Sequence, residues 1–466
     1  MVDREKRRLL APLLLAIFMR ALPLTMFGPL LAGIARSLGA GLAEIGWIVA
    51  TYATGSLVAQ PVMGRLSDIR GRKRVLVMCI FLFGLGSTIC ALSTTLWMLV
   101  AGRIVQALGA GGIQPVVTAI VADRFAPAER GSVLGSVYGM YGLGTMGGAL
   151  AGGAIVGGAL WLSVNANLGA GLARELASFP WHLVFWVNVV LALITLAAAS
   201  GITPDEDALA NKAHNGFDYP GIILVAVFTA SLMVAATTSG ATAVSGLAGA
   251  AISVVVLCIW EPRARSPLFD PALFRGKGPA LIYAVALAFG LPSFTLTIYS
   301  ATYLIAAFGV NEAQSGLALF GLAAAYVAGA IIGGKATRRT AAKVPLIFGL
   351  ICTGVGLVAL ASLNSVPAAV ASMIVGGLGL GVASAPPNAL LLDYVSAAQV
   401  GGASGLALML ATSGSITAPA LISAFLHYGS GATGVEFREA FAVGAALCVG
   451  CAAVSAALPA PRRELG

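Results

Sequence analysis

The stretch GRLSDIRGRKR, from Gly64 to Arg74, decides the fold, because five cations and one carboxylate stand there between two long apolar runs. A segment this short and this basic, flanked by apolar residues, reads as a loop joining two membrane helices. Lys and Arg hold such loops on the cytoplasmic side. Working outward from it, the question becomes what the chain carries across a bilayer.

Composition agrees. Of 466 residues, 59% are apolar and only 10% charged, where a soluble domain has about a quarter. The net charge of +9 does not form a basic face, since the cations sit in short loops between apolar runs; a nucleic-acid partner is excluded on that pattern. All six cysteines (Cys79, Cys90, Cys258, Cys352, Cys448, Cys451) fall within apolar runs, which reads as packing, not as a secreted disulfide framework. Cys448 and Cys451 have redox spacing but lack polar neighbours. The N-terminal MVDREKRR precedes an apolar run that reaches about Ile34, too long for a cleaved signal, so it reads as a first span.

Fourteen apolar runs can be placed, at about 9–36, 42–63, 75–95, 97–121, 132–160, 181–200, 218–238, 243–260, 279–308, 313–333, 344–362, 366–394, 401–427 and 438–458. With both termini inside, all of the 27 Lys and Arg fall in cytoplasmic loops except Arg20, Arg36, Arg103, Arg174 and Arg438. A count wrong by one helix scrambles that asymmetry. Trp97, Trp161, Trp181 and Trp260 stand near span ends, where an aromatic belt is expected, and 161–180 reads as a longer external loop. ERGSVLG (Glu129 to Gly135) and QVGGASG (Gln399 to Gly405) open the fifth and thirteenth spans; Gly64 to Asp68 and Gly334 to Arg338 close the second and tenth. This weak repeat aligns spans 1–6 with spans 9–14. It divides the chain into an N-terminal six-helix bundle (1–200), a linker with two additional membrane helices (201–278) and a C-terminal six-helix bundle (279–466).

The opening loop spaces Gly64, Asp68, Gly71, Arg72 and Lys73 as Gly, three residues, Asp, two residues, Gly-Arg-Lys. That spacing resembles the signature loop of the major facilitator superfamily, and two further motifs make the chain resemble its fourteen-span drug:proton antiporters. One is Arg103, Gln106 and Gly109 in span 4; the other is Gly135, Gly144, Gly148, Gly152 and Gly153 in span 5. The resemblance implies an all-α membrane protein of two six-helix bundles plus two inserted helices, working by alternating access. It implies that Asp68, with Gly64, Gly71 and Arg72, forms a conformational latch on a helix end of the opposite bundle, and it gives Arg103 a part in proton transfer. An alternative for Arg103 is a structural residue bonded to nearby carbonyls, since an intramembrane Arg costs at least about 2.5 kcal/mol without partners. The four-residue spacing of Gly144, Gly148 and Gly152 lets another helix approach at backbone contact. Departures are visible too: Ala149 stands where the family has Pro, and His182 where it has Arg.

The largest departure is at mid-membrane. Fourteen-span drug antiporters carry an Asp in the first span; the aligned position here is Pro23. Arg20 lies about eleven residues into that span, roughly 16 Å along the axis, near the middle of a ~30 Å core. Intramembrane ionisable groups are site candidates by default, so Arg20 is expected to attract an anionic or carbonyl-rich substrate, the alternative being a pairing with backbone freed by Pro23 or with a Tyr hydroxyl. Tyr52, Gln114, Tyr141 and Tyr299 are the other substrate-binding candidates, and Thr25, Gln60, Tyr138, Asn188, Tyr303, Tyr326 and Asn388 could also line a cavity. No metal cluster, nucleophile–base pair or nucleotide motif is visible, so no enzyme and no cofactor is expected, the drive being a proton gradient. The expectation is a monomeric, multi-pass transporter of the bacterial inner membrane with cytoplasmic termini, exporting small amphipathic drugs or metabolites; the alternative is a carrier of an organic anion held by Arg20.

Overall fold

The computed structural model describes residues 4–26, 30–39, 42–165, 176, 178–202, 218–238, 240–274, 276–396, 399–426 and 434–459. Everything described is helix or connection, with no strand among those residues. The helices are α1 (Arg4–Met26), α2 (Leu31–Leu38), α3 (Leu42–Arg70), α4 (Arg72–Ala91), α5 (Leu96–Arg124), α6 (Pro127–Asn165), α7 (His182–Ser200), α8 (Tyr219–Thr237) and α9 (Gly240–Trp260). They continue with α10 (Lys277–Phe294), a π turn (Thr295–Tyr299), α11 (Ser300–Phe308), α12 (Glu312–Arg339), α13 (Lys343–Ser362), α14 (Val366–Ser384), α15 (Pro386–Leu392), α16 (Val400–Leu426) and α17 (Gly434–Ala456).

Local chemistry sets where they begin and break. Thr95 caps α5 by accepting from Met98 N at 3.3 Å. Asn311 and Gln314 exchange side-chain and backbone bonds of 2.8 and 3.2 Å at the start of α12, which satisfies two donors that a helix start otherwise leaves open. The run expected at 366–394 is divided at Ala385 because Pro386 and Pro387 have no N–H to continue the ladder. The run expected at 279–308 is interrupted by the π turn, which begins three residues after Pro292 of α10. The fifth run extends beyond 132–160 to Pro127–Asn165, so Trp161 belongs to a helix instead of opening a loop. Residues 166–175 and 177 of that expected loop, and 203–217 of the polar linker, lie outside the described residues.

Among the described residues, eleven helical segments are long and apolar enough to cross a membrane, against the fourteen expected. The other three expected runs correspond to α3, α6 and α8, each of which includes residues whose side chains lie outside that description. Large apolar side chains such as Phe81, Leu193, Ile252, Phe348 and Val355 stand exposed on the outer surface, the arrangement of a protein whose solvent there is lipid.

Packing gathers the helices into two groups. In the first, α4 and α3 pack on α5, α7 on α4, and α1 along α6; in the second, α12 and α13 pack on α14, α17 on α13, and α16 on α10. The groups meet along two seams, α3 against α16 and α6 against α12. The pair α8 and α9 packs on itself, and α8 also touches α3 and α16 beside the first seam.

Candidate functional site

The first seam closes on the carboxylate of Asp68. Its Oδ1 accepts from Gly401 N at 2.9 Å and its Oδ2 from Gly402 N at 2.8 Å. Those two N–H groups belong to the first turn of α16, where backbone donors have no partner inside the helix and the helix dipole favours a negative charge. Arg72 secures the carboxylate from the other side: it donates to Asp68 Oδ1, to Ser67 Oγ at 3.0 Å and, through Nε, to Asp123 Oδ2 at 3.0 Å. Both side chains of the Asp68–Arg72 pair are almost completely buried. A Cβ on Gly64 would collide with the Gly401 carbonyl, and one on Gly401 with the Gly64 carbonyl, so the close approach needs glycine on both helices. Gly71 joins α3 to α4 at φ 93°, a conformation that disfavours side chains. Asp123, at the end of α5, is a partner the sequence reading did not single out.

The second seam rests on close backbone contact. A Cβ on Gly135 of α6 would sit 2.6 Å from Ala330 O and 2.7 Å from Gly334 Cα of α12. One on Gly131 would sit 2.5 Å from Thr337. Gly144, Gly148 and Gly152 face the other way, toward the backbone of α1 at Phe18, Leu22 and Met26, and Thr25 Oγ1 donates to Thr145 O there at 2.5 Å. The glycine motif thus divides its work: Gly135 serves the seam, and the stripe after it seats α1. Gly153 follows on the same helix.

Between the seams, in the last third of α1, lies Arg20. Its Nε donates to Ala110 O at 2.9 Å and its Nη1 to Gln114 Oε1 at 2.6 Å, both on α5; its guanidinium stands 5.3 Å from the centre of the Tyr141 ring on α6. The side chain is buried, with 8% exposure. The partners are a carbonyl, an amide oxygen and a π face, all neutral acceptors, so among the described residues the charge is solvated but not compensated. Neither freed backbone at Pro23 nor a Tyr hydroxyl supplies those bonds. Tyr138, one turn before Tyr141, accepts from Asn388 Nδ2 at 2.5 Å and so joins α6 to α15 across the two groups of helices. Tyr326 of α12 packs on Gly142 and stands in electrostatic reach of Tyr138 and Tyr141. The result is one cation within a ring of phenols and amides drawn from both halves.

Arg103 stands apart from that ring. Its Nη1 donates to Gln106 at 2.8 Å, its Nε reaches Ile48 O at 3.5 Å, and its guanidinium covers the Tyr52 ring at 4.0 Å. Gln106 passes the chain on to Ser87 at 2.8 Å, so this motif ties α3, α4 and α5 together. Gly109 completes it by admitting the backbone of Cys79 and Phe83. Tyr52 thus serves Arg103 more closely than Arg20. Tyr299 falls in a separate aromatic cluster with Phe294 and Phe437, at 5.8 and 5.9 Å between ring centres. Tyr303 is fully buried there and accepts from Arg438 at 3.3 Å. Gln60 donates to Thr412 at 3.3 Å across the first seam, while Asn188 is buried on α7. His182 meets Ser93 O at 2.9 Å through Nε2 and stacks on Phe179. His214 and His427 lie outside the described residues. No group of three or more metal-ligating side chains occurs among the described residues.

Two helical groups that meet along paired seams, with lipid-facing apolar surfaces and a polar centre, define a membrane transporter rather than an enzyme. The chain belongs to the Major Facilitator Superfamily, whose family description matches residues 13–303 and 281–466. Among curated relatives, a triacylglyceride transporter of Mycobacteroides abscessus is 28% identical over 426 residues, covering 86% of this chain and 78% of its own length. Multidrug resistance protein 3 of Bacillus subtilis is 25% identical, covering 79% of this chain and 69% of its own. Among solved structures, the human organic anion transporter MFSD10 (TETRAN) shares the fold with a TM-score of 0.69 at 14% identity, over 97% of this chain and 100% of its own.

Proposed function

We propose that the chain is a secondary active exporter of small amphipathic molecules across the bacterial inner membrane, driven by the proton gradient and working as a monomer by alternating access. The observation that supports the cargo class is Arg20, a buried cation solvated by neutral acceptors only. An anionic head group or an ester-like carbonyl is the partner that completes it, and the apolar body would lie along the Tyr138, Tyr141 and Tyr326 faces. The names of two relatives, one for triacylglycerides and one for multidrug resistance, support a cargo with a large apolar part. On this reading α3, α6 and α8 cross the membrane with the eleven others, giving the fourteen spans and cytoplasmic termini of the drug:proton antiporters. The placing of Lys and Arg in alternate loops supports it.

Asp68 is assigned the latch. A carboxylate on a helix N-terminus contributes about 0.3–2 kcal/mol, enough to bias two states but not to lock one. With the latch made, the cytoplasmic ends are closed and the centre is reached from outside. Arg103 is assigned a part in proton coupling through exchange of its Gln106 and Ile48 partners as the bundles rock. A second reading, a carrier of organic anions without drug export, draws on the same uncompensated Arg20.

Thermal stabilisation of the purified protein by matched cationic, neutral and anionic amphipathic compounds, repeated on Arg20→Gln, tests the proposal. A ligand at 100 times its dissociation constant adds about 2.7 kcal/mol. Stabilisation by anionic or ester compounds that disappears in the variant is the expected result. Stabilisation by cations, equal in both proteins, would remove Arg20 from the binding site.

A further inference from the structure

The foot of the inserted pair holds two carboxylates that the transport site does not use. Asp218 caps α8: its Oδ1 accepts from Gly221 N at 3.0 Å and from Trp260 Nε1 at 2.9 Å. Glu261, in the short turn after α9, accepts from Phe269 N at 3.1 Å through Oε2, and the Leu268 N–H also acts on its carboxylate. The second oxygen of each, Asp218 Oδ2 and Glu261 Oε1, is buried and has no hydrogen-bond partner among the described residues. The residues are only 7% and 6% exposed. Those two oxygens flank one spot: a Cβ on Gly221 would collide with Asp218 Oδ2 and lie 3.1 Å from Glu261 Oε1.

Two orphan carboxylate oxygens turned to one buried place form an unstable arrangement if both groups are ionised, because like charges at short range and low dielectric repel strongly. One proton cures it, making one oxygen a donor and the other its acceptor. Among the described residues, the charged groups that face Glu261 are Asp218 from α8 and Arg65 from α3; α16 presents Gln399, which is already engaged with Asp270.

The position of the pair gives the proton a consequence. The segment that starts at Glu261 is held at Phe269 by Glu261 itself, and the next residue, Asp270, accepts from Gln399 Nε2 at 2.6 Å. Gln399 directly precedes Val400, Gly401 and Gly402, the helix end that Asp68 grips. Arg65 lies on the same helix as Asp68 and beside Gly402.

We propose that Asp218 and Glu261 share one proton, and that this proton-binding pair keeps the 261–270 segment seated on the helix end held by Asp68. The second half of the statement rests on the latch reading of Asp68. When the proton leaves to bulk water, the two charges separate, Glu261 swings toward Arg65, Phe269 loses its acceptor, and the strap on α16 slackens. The seated state then binds one more proton than a released state in which both carboxyls meet water at about pH 4. Raising the pH therefore favours release.

Two measurements on the full chain in lipid nanodiscs test this. Infrared difference spectra, taken between about pH 5 and about pH 9, should show the carbonyl stretch of a protonated carboxyl near neutrality. That band should be lost in both Glu261→Gln and Asp218→Asn; a band unchanged in both variants overturns the shared proton. Amide hydrogen exchange over residues 399–405, corrected for intrinsic rates, reads the strap. Protection in the unsubstituted protein should fall about tenfold as the pair titrates, a tenfold change being one pK unit. In Glu261→Gln the amide donates to Asp218 as the protonated acid would, so protection should persist at both ends of the range. If Glu261→Gln does not fold, Asp218→Asn gives the same readout from the other side. A carboxyl band that titrates while protection stays constant overturns the coupling. Asp68→Asn is the control for the latch: it should lose protection at every pH, and if it does not, the latch reading fails while the infrared result still decides the pair.

Discussion

The two seams between the helical groups are built from related stretches of sequence and hold by opposite means. Where α3 meets α16, a buried carboxylate takes two backbone donors and an Arg72 guanidinium. Where α6 meets α12, Gly135 and Gly334 press backbone on backbone, and Arg338 stands where Asp68 stands in the other half. Small-residue contact in lipid relies on van der Waals packing over many atoms, so it tolerates rolling and fails on added bulk. A charged bond to a helix end depends on one direction and one protonation state, so it can be broken as a unit. The difference assigns the seams different work: α6–α12 behaves as a bearing and α3–α16 as a catch.

Breaking the catch should have the largest effect. Asp68→Ala takes from the buried Arg72 the carboxylate it bonds through Nη1 and leaves two helix-end donors without their acceptor. Loss of one partner of a buried ion pair costs about 3–5 kcal/mol, and thermal unfolding should show a loss of that order, accompanied by faster exchange at Gly401 and Gly402. Loading the bearing comes next. Gly135→Val places side-chain atoms where Ala330 O and Gly334 Cα already stand; overpacking of this kind costs about 1–3 kcal/mol, and transport should fall while binding at the centre, read by ligand stabilisation, persists. The polar tie across the centre is smaller. Tyr138→Phe removes the acceptor of Asn388, an effect of about 1 kcal/mol, seen as a modest drop in unfolding temperature.

The smallest effect sits at the surface, at the start of α6. Lys6 donates to Glu129 at 2.7 Å, and that bond, the largest of the causes, holds the Glu129 carboxyl below its ordinary value. A lowered pKa stabilises the folded state above the ordinary carboxylate value, and the contribution is lost as pH falls through the lowered one. The unfolding temperatures of the unsubstituted protein and Glu129→Gln should therefore differ slightly at neutral pH and converge below about pH 4. Equal values at neutral pH would mean that solvent already screens the pair.

Much of this was legible in the chain. The Gly64 to Arg74 loop announces paired membrane helices because its charges cannot enter lipid, and the Gly144, Gly148, Gly152 spacing announces a helix packed at backbone contact. Arg20 declares itself by depth alone. Its partners do not: Ala110 is an alanine like many others, and what matters is its carbonyl, which no side-chain pattern reports. Asp123 was equally silent, because its role arises from where α5 ends relative to Arg72. Tyr52 and Tyr299 were grouped with Arg20 on residue type, yet the fold places Tyr52 under Arg103 and Tyr299 among Phe294 and Phe437. Aromatic residues in apolar helices look alike along a sequence; only helix rotation separates those that face a polar centre from those that pack.

By itself the sequence determined that this protein lives in a membrane, since burying so much apolar surface with so few charges leaves no aqueous alternative. It also determined which helices approach closely, through glycine, and that a cation stands near mid-membrane. Only the tertiary structure decided which donors Asp68 finds, which oxygens surround Arg20, and that Asp218 and Glu261 meet across Gly221. Each of those contacts joins residues distant in the chain, and hydrogen bonds select on ångströms and angles that spacing along one chain does not encode.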